Sequence, residues 1–132
     1  ARMLVDMLTD AALIDDLDEF QQLVESRPSR ICVFDTMPLL CGIEPNLPGT
    51  VLPHGWLVTS DSIAARLAEI LAADELVLLK SDLPKAGSLE QLAQANYVDE
   101  FFPVIAGKIR QVRCVNLRDE EFAEQSLQAS TR

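Results

Sequence analysis

Apolar positions along this chain recur at either helical or strand spacing, and each change of period marks a new element. Met3, Leu4, Met7 and Leu8 share one face of a short first helix that Thr9-Asp10 ends. Ala11 to Ile14 reads as a brief extended segment. Asp15 and Asp16 are candidate caps for a helix over Leu17 to Ser26, with Phe20, Leu23 and Val24 turned inward and Pro28 as its stop. Ile31-Cys32-Val33-Phe34 predicts a strand, and Asp35-Thr36-Met37-Pro38 lies at its end. Residues Gly42 to Gly55 hold Pro45, Pro48 and Pro53 beside Gly42, Gly49 and Gly55, which predicts a loop with room for a small hairpin.

The stretch from Trp56 to Ala68 is the most informative. Val58 closes an extended apolar segment, and Thr59-Ser60-Asp61 is a corner of residues whose side-chain oxygens suit an N-cap or first turn. Ile63, Leu67, Ile70 and Leu71 then recur at helical spacing, with Ala64 and Ala68 beside them. Leu76-Val77-Leu78-Leu79 suits a buried parallel strand. Ser81 to Ser88 reads as a loop, and Leu89, Leu92 and Ala93 as a short helix. Val98 to Pro103 starts a helical turn that Val104 to Lys108 continues. Val112 to Leu117 is the last predicted strand, and the tail from Arg118 is a polar helix or a disordered end. This alternation predicts an α/β domain with a mainly parallel sheet. Right-handed crossovers bring strand ends to one edge, where open sheets bind ligands. Asp35, the Thr59–Asp61 corner and the Lys80–Asp82 corner are therefore expected to line one cleft.

The chain has 132 residues, enough for one domain spanning 1–132. Aromatic residues make up only 5%, so Leu, Ile, Val and Ala must fill the core. The formal charge of −10 repels a phosphate backbone and argues against general nucleic-acid binding, yet leaves room for a nucleotide carried with Mg²⁺. Cys32, Cys41 and Cys114 form no C-x-x-C pair, and His54, the single histidine, completes no zinc site of ordinary spacing. Cys32 and Cys114 fall in apolar strands, as reduced thiols do, which predicts a cytoplasmic protein. No apolar run reaches membrane length and no signal peptide is visible, so no membrane partner is expected. The opening Ala1-Arg2-Met3-Leu4-Val5 is already helical in pattern, which suggests an excerpt of a longer chain.

The segment Leu52 to Ala65, with its Thr59-Ser60-Asp61-Ser62-Ile63-Ala64 corner, resembles the "N/T-x-D-x-x-A" corner of the amino acid kinase superfamily. Leu76-Val77-Leu78-Leu79-Lys80-Ser81-Asp82 resembles the next strand of that superfamily, which ends in a nucleotide-contacting "T-D" or "S-D". Tyr97-Val98-Asp99-Glu100-Phe101-Phe102-Pro103, with the Val115-Asn116-Leu117 strand, is similar to the small-molecule kinases of methanofuran and tetrahydromethanopterin biosynthesis. The resemblance covers Leu52 to Leu117. Members of the superfamily begin with a strand, a Lys and a Gly-Gly-Ser phosphate loop, and no such segment lies between Ala1 and Arg132. The resemblance therefore implies the C-terminal portion of a three-layer α/β/α sandwich, phosphoryl transfer from ATP with Mg²⁺, a small-molecule substrate and a homo-oligomer. By it, Asp61 organises the catalytic site, Lys80, Ser81 and Asp82 face the nucleotide, and Thr59 and Ser60 sit near the acceptor or the phosphates. A non-catalytic nucleotide- or oxyanion-binding or assembly domain of the same fold is the alternative.

The chemistry of these residues has plainer readings beside it. Phosphoryl transfer depends on positioning and charge neutralisation, and a helix start offers N–H donors to an anion. An Asp at that corner serves best by holding a lysine or Mg²⁺. Ser60 or Asp61 equally suits a simple helix cap. Lys80 either reaches a phosphate or adenine, or only leaves the core for solvent. His54 and Trp56 either shape an acceptor pocket, with Trp56 stacking on a flat ring, or are a surface residue and a core plug. Asp99 reads as the cap of a turn, and Asp119-Glu120-Glu121 as a solvated face.

Overall fold

The computed structural model describes residues 1–26, 30–85 and 87–127. Pro28 lies outside them. The chain divides into two compact units, Ala1–Leu47 and Pro48–Arg132.

The first unit runs α1 (Arg2–Met7), β1 (Ala12–Ile14), α2 (Leu17–Glu25), β2 (Cys32–Phe34) and α3 (Thr36–Pro38). β1 and β2 pair in parallel, from Ala12↔Cys32 to Ile14↔Phe34. Asp16 caps α2, its side chain accepting from the Glu19 N–H at 2.9 Å. Leu17 is buried, and Phe20 stacks on Phe34 with ring centroids 4.9 Å apart. Val24, expected inward, is exposed. Strands of three residues span about 10 Å and stop short of the last turn of a nine-residue helix. Met3, Leu4 and Met7 form the expected helix but are exposed. The hairpin expected near Gly42 is absent among the described residues. The chain instead winds through a π turn (Leu39–Ile43) and a 3-10 turn (Glu44–Asn46), with Pro45 in the first turn of the latter.

The second unit contains α4 (Ser60–Ile70), β3 (Leu76–Lys80), α5 (Leu89–Gln94), α6 (Phe102–Ala106), β4 (Val112–Asn116) and β5 (Glu124–Leu127). Its sheet has the order β3-β4-β5. β3 and β4 are parallel from Leu76↔Val112 to Lys80↔Asn116, and β5 runs antiparallel to β4. The protein is thus α/β, with one parallel sheet of two strands and one mixed sheet of three among the described residues.

Three expectations need correction here. No strand leads directly into the Thr59 corner; Pro53 and Gly55 interrupt any ladder, and residues 51–59 are irregular. Part of the tail after Arg118 is the strand β5, so β4 is not the last; β5 is an edge strand with only Leu127 buried, which leaves little apolar signal. Leu79 is 62% exposed, so β3 alternates rather than being buried on both faces. Leu76, Leu78, Val112, Cys114 and Leu127 form the buried face.

α4 packs on α6 and β3. Its buried residues are Ser62, Ala65, Arg66 and Ala68, while the predicted Ile63, Leu67, Ile70 and Leu71 are only half-buried. Small side chains on this face let α6, with buried Phe102, Ile105 and Ala106, come close. α5 starts with a capping box between Ser88 and Gln91 and buries Leu89 and Leu92. α4 runs back along β3, so the start of the helix and the end of the strand meet. No helix among the described residues is long and apolar enough to cross a membrane.

Candidate functional site

The N-terminus of α4 is held from a distance. Thr59 is the N-cap residue, but its side chain makes no capping bond, and neither Ser60 nor Asp61 supplies one. The cap is Asp99, forty residues on. Its Oδ2 accepts from Thr59 N–H at 2.9 Å, Thr59 Oγ1 at 2.9 Å and Ser62 N–H at 3.0 Å. Its Oδ1 accepts from the Ser62 hydroxyl and from the N–H groups of Phe101 at 3.2 Å and Phe102 at 3.0 Å. One carboxylate therefore caps α4 and the turn into α6 together. Burial raises the Asp99 pKa, and the bonds from Ser62 and Thr59 outweigh it, leaving the group lowered and charged.

With Thr59 and Ser62 so engaged, the N–H groups of Ser60 and Asp61 have no partner among the described residues. The Asp61 side chain turns to the end of β3. Both of its oxygens accept from Lys80 Nζ, at 2.9 and 2.8 Å. Lys80 also donates to the Tyr97 carbonyl at 3.1 Å and lies 5.3 Å from the centre of the Tyr97 ring. Parallel pairing sets Lys80 opposite Asn116 at the carboxyl end of the β3–β4 ladder. The Tyr97 hydroxyl donates to the Asp82 carbonyl at 2.7 Å. Burial, then Cys114 and the carboxylates of Asp82 and Asp61, push the Tyr97 phenol up, so it stays a neutral donor. Burial also raises the Cys114 thiol, which keeps it an unreactive core residue.

A cavity of 460 Å³ opens over this arrangement, lined among others by Trp56, Thr59, Ser60, Asp61, Lys80 and Glu100. A second hollow of 260 Å³, walled by Leu83, Leu92 and Ala95, shares Asn96 and Tyr97 with it. Comparison of the chain with known protein families, with curated proteins and with solved structures finds no match.

The sequence-predicted residues divide accordingly. Thr59, Ser60, Asp61, Lys80 and Trp56 come together at the large cavity. Asp82 borders the second hollow, where its Oδ1 accepts from the Leu83 N–H at 2.8 Å. Ser81 and His54 are exposed and line neither cavity. Trp56 is 99% exposed, which removes the core-plug reading. Asp35 stands at the end of β2 in the first unit, capping α3 through the Met37 N–H at 3.2 Å. Asp99 does cap a turn, but its larger role at α4 was missed; only its place just before Phe101-Phe102-Pro103, where a helix begins, carried a signal. Asn96, Tyr97 and Glu100 were also missed as cavity walls.

The donor set does not suit a resident Mg²⁺. Both oxygens of Asp61 are committed to Lys80, and both oxygens of Asp99 to protein donors. No group of three His, Cys, Asp or Glu among the described residues is placed to hold a metal ion.

Proposed function

We propose that this chain is an amino-acid-kinase-like, ATP-dependent phosphotransferase domain acting on a small-molecule carboxylate or phosphate acceptor, cytoplasmic and oligomeric, within a three-layer sandwich. The observation that carries the reading is the Asp61–Lys80 pair, joined through both carboxylate oxygens, at the start of an eleven-residue helix and open to a polar cavity. In phosphoryl transfer the protein mainly positions groups and neutralises charge. Asp61 and the Tyr97 carbonyl hold the Lys80 ammonium in one place, so a phosphoryl group entering the cavity meets a positioned cation and competes with these acceptors for one of its N–H donors. The N–H groups of Ser60 and Asp61 add donors at the positive end of the helix. The neighbouring hollow at Leu83 and Leu92 suits a nucleobase, with Asp82 on its wall. Mg²⁺ belongs to the substrate in this reading and arrives bound to ATP.

The binding-only alternative has its own support. Lys80 is the one cation lining the large cavity among the described residues, and Asp61, Asp99 and Glu100 oppose it. That is little positive charge for a transition state. Calorimetric titration with Mg·ATP, followed by an ATP-consumption assay against a panel of small phosphates and amines, separates the readings. Binding with turnover that Asp61→Asn abolishes, the fold remaining intact, supports the kinase. Binding without turnover supports the alternative, and absence of binding contradicts both.

A further inference from the structure

Trp56 is the single tryptophan of the chain, and it is 99% exposed. An indole is among the largest apolar surfaces a protein has to bury, and this one lies wholly in water. It nevertheless lines the rim of the 460 Å³ cavity. The segment that carries it is fixed at both ends. Leu52 is 6% exposed on one side, and on the other Asp99 holds both the N–H and the hydroxyl of Thr59. Between these anchors the backbone bonds are long: Val58 N–H to Gly55 O at 3.4 Å, and Phe101 N–H to Leu57 O at 3.3 Å. Gly55 has φ +141°, which L side chains rarely adopt, and a Cβ there would meet nothing within 4 Å. Leu57 beside it is also half exposed. Two fixed ends, a glycine in open space and an uncovered indole at the edge of a hollow therefore lie together in the segment from Leu52 to Thr59.

We propose that residues His54 to Val58 are a lid that turns about Gly55 and lays the Trp56 indole across the cavity when an anionic ligand occupies it. The inference rests on the reading that phosphoryl chemistry takes place over Lys80. That chemistry needs the lid: a cavity open to water would pass the phosphoryl group to solvent instead of to an acceptor. Closure also buries indole surface that is wet in the open form, so the motion has its own driving force. Asp99 serves as the fixed post behind the hinge, because its hydrogen bonds hold Thr59, Ser62, Phe101 and Phe102 and leave Gly55 and Trp56 out.

The single tryptophan makes the test direct. Mg·ATP is titrated into the full chain while calorimetry reads binding and Trp56 fluorescence reads exposure. The expected result is a water-exposed emission that shifts blue on binding, with acrylamide quenching reduced severalfold. Gly55→Val, which cannot keep this φ without strain, binds Mg·ATP but loses the shift. Binding with no change in Trp56 overturns the lid and leaves the phosphotransferase reading standing. A Gly55→Val response equal to the wild type overturns the hinge. Emission already blue-shifted without ligand and lost on dilution assigns the indole to a contact between copies and overturns the lid. Absence of calorimetric binding overturns the underlying reading and the lid with it.

Discussion

The two ends of α4 each carry a polar cluster, and the two are built differently. In the C-terminal half, Arg66 is 1% exposed and donates to Pro48 O at 3.0 Å and to Glu69 Oε2 at 2.8 Å. Glu69 also accepts from the Thr50 N–H at 3.1 Å and Thr50 Oγ1 at 2.9 Å, with Lys108 3.5 Å away. Burial raises the Glu69 pKa, but Thr50, Arg66 and Lys108 outweigh it, and the group is lowered. Neither described cavity reaches this cluster. Its bonds close on themselves and fasten residues 48–50 to the helix. At the N-terminal end, Asp61 and Lys80 are also paired, yet they face open space beside uncommitted N–H groups. What lies beyond a charged pair decides its role. A saturated pair is a tether, whereas a pair bordering empty volume is a candidate site.

The contrast is broken most severely at Arg66. Arg66→Met removes a guanidinium that is 1% exposed and its bonds to Glu69 and Pro48, and stability should fall by about 3–5 kcal/mol in denaturant titration. A fall no larger than that of a surface variant would deny the cluster its structural role. Asp99→Asn comes next, at about 2 kcal/mol, since it weakens charge-assisted bonds to two helix starts together. Its pH dependence has a definite sign. The folded pKa lies below the ordinary value of 3.8, so the stabilisation is complete above that value and is lost as pH falls through the lowered one. The wild type should therefore lose stability in acid more steeply than Asp99→Asn, as denaturation midpoints followed from pH 5 downward will read.

Gly49→Ala is smaller, about 1–2 kcal/mol, and shows how tightly the tether is drawn. Its φ is +102°, and a Cβ would lie 2.7 Å from Arg66 Nη1 and 3.0 Å from Glu69 Cδ. A thermal midpoint unchanged by this substitution would mean the loop yields freely. Lys80→Met should be the mildest, about 1 kcal/mol, because Lys80 is 22% exposed where Arg66 is 1%, and its pair with Asp61 borders an open cavity.

Local signals carried much of this architecture. Asp16 as a cap, the Leu17, Leu89 and Leu76 elements, and the polar corner at α4 follow from spacing and side-chain chemistry alone. The Asp61–Lys80 meeting follows from topology, since a helix that returns along the next strand brings its own start to that strand's end. What stayed hidden depends on long-range partners. The bonds from Thr59 to Asp99 span forty residues, and nothing near Asp99 announces them. Arg66 on a buried face looks like an ordinary surface arginine until Glu69 and Pro48 are placed around it. Trp56 reads by residue type as either a pocket wall or a core plug, and only its surroundings put it in water. β5 lacked the apolar alternation by which strands are recognised.

One comparison tests most directly whether the N-terminal pair is a site and the C-terminal pair a tether. Calorimetric titration of Mg·ATP into the wild type, Lys80→Met and Arg66→Met is set beside their denaturant midpoints. Expected are binding by the wild type, a loss of at least about tenfold in Lys80→Met with near-native stability, and a large stability loss in Arg66→Met. Wild-type protein that binds nothing, or Lys80→Met that is destabilised as much as Arg66→Met, would show that the two pairs do not differ in this way.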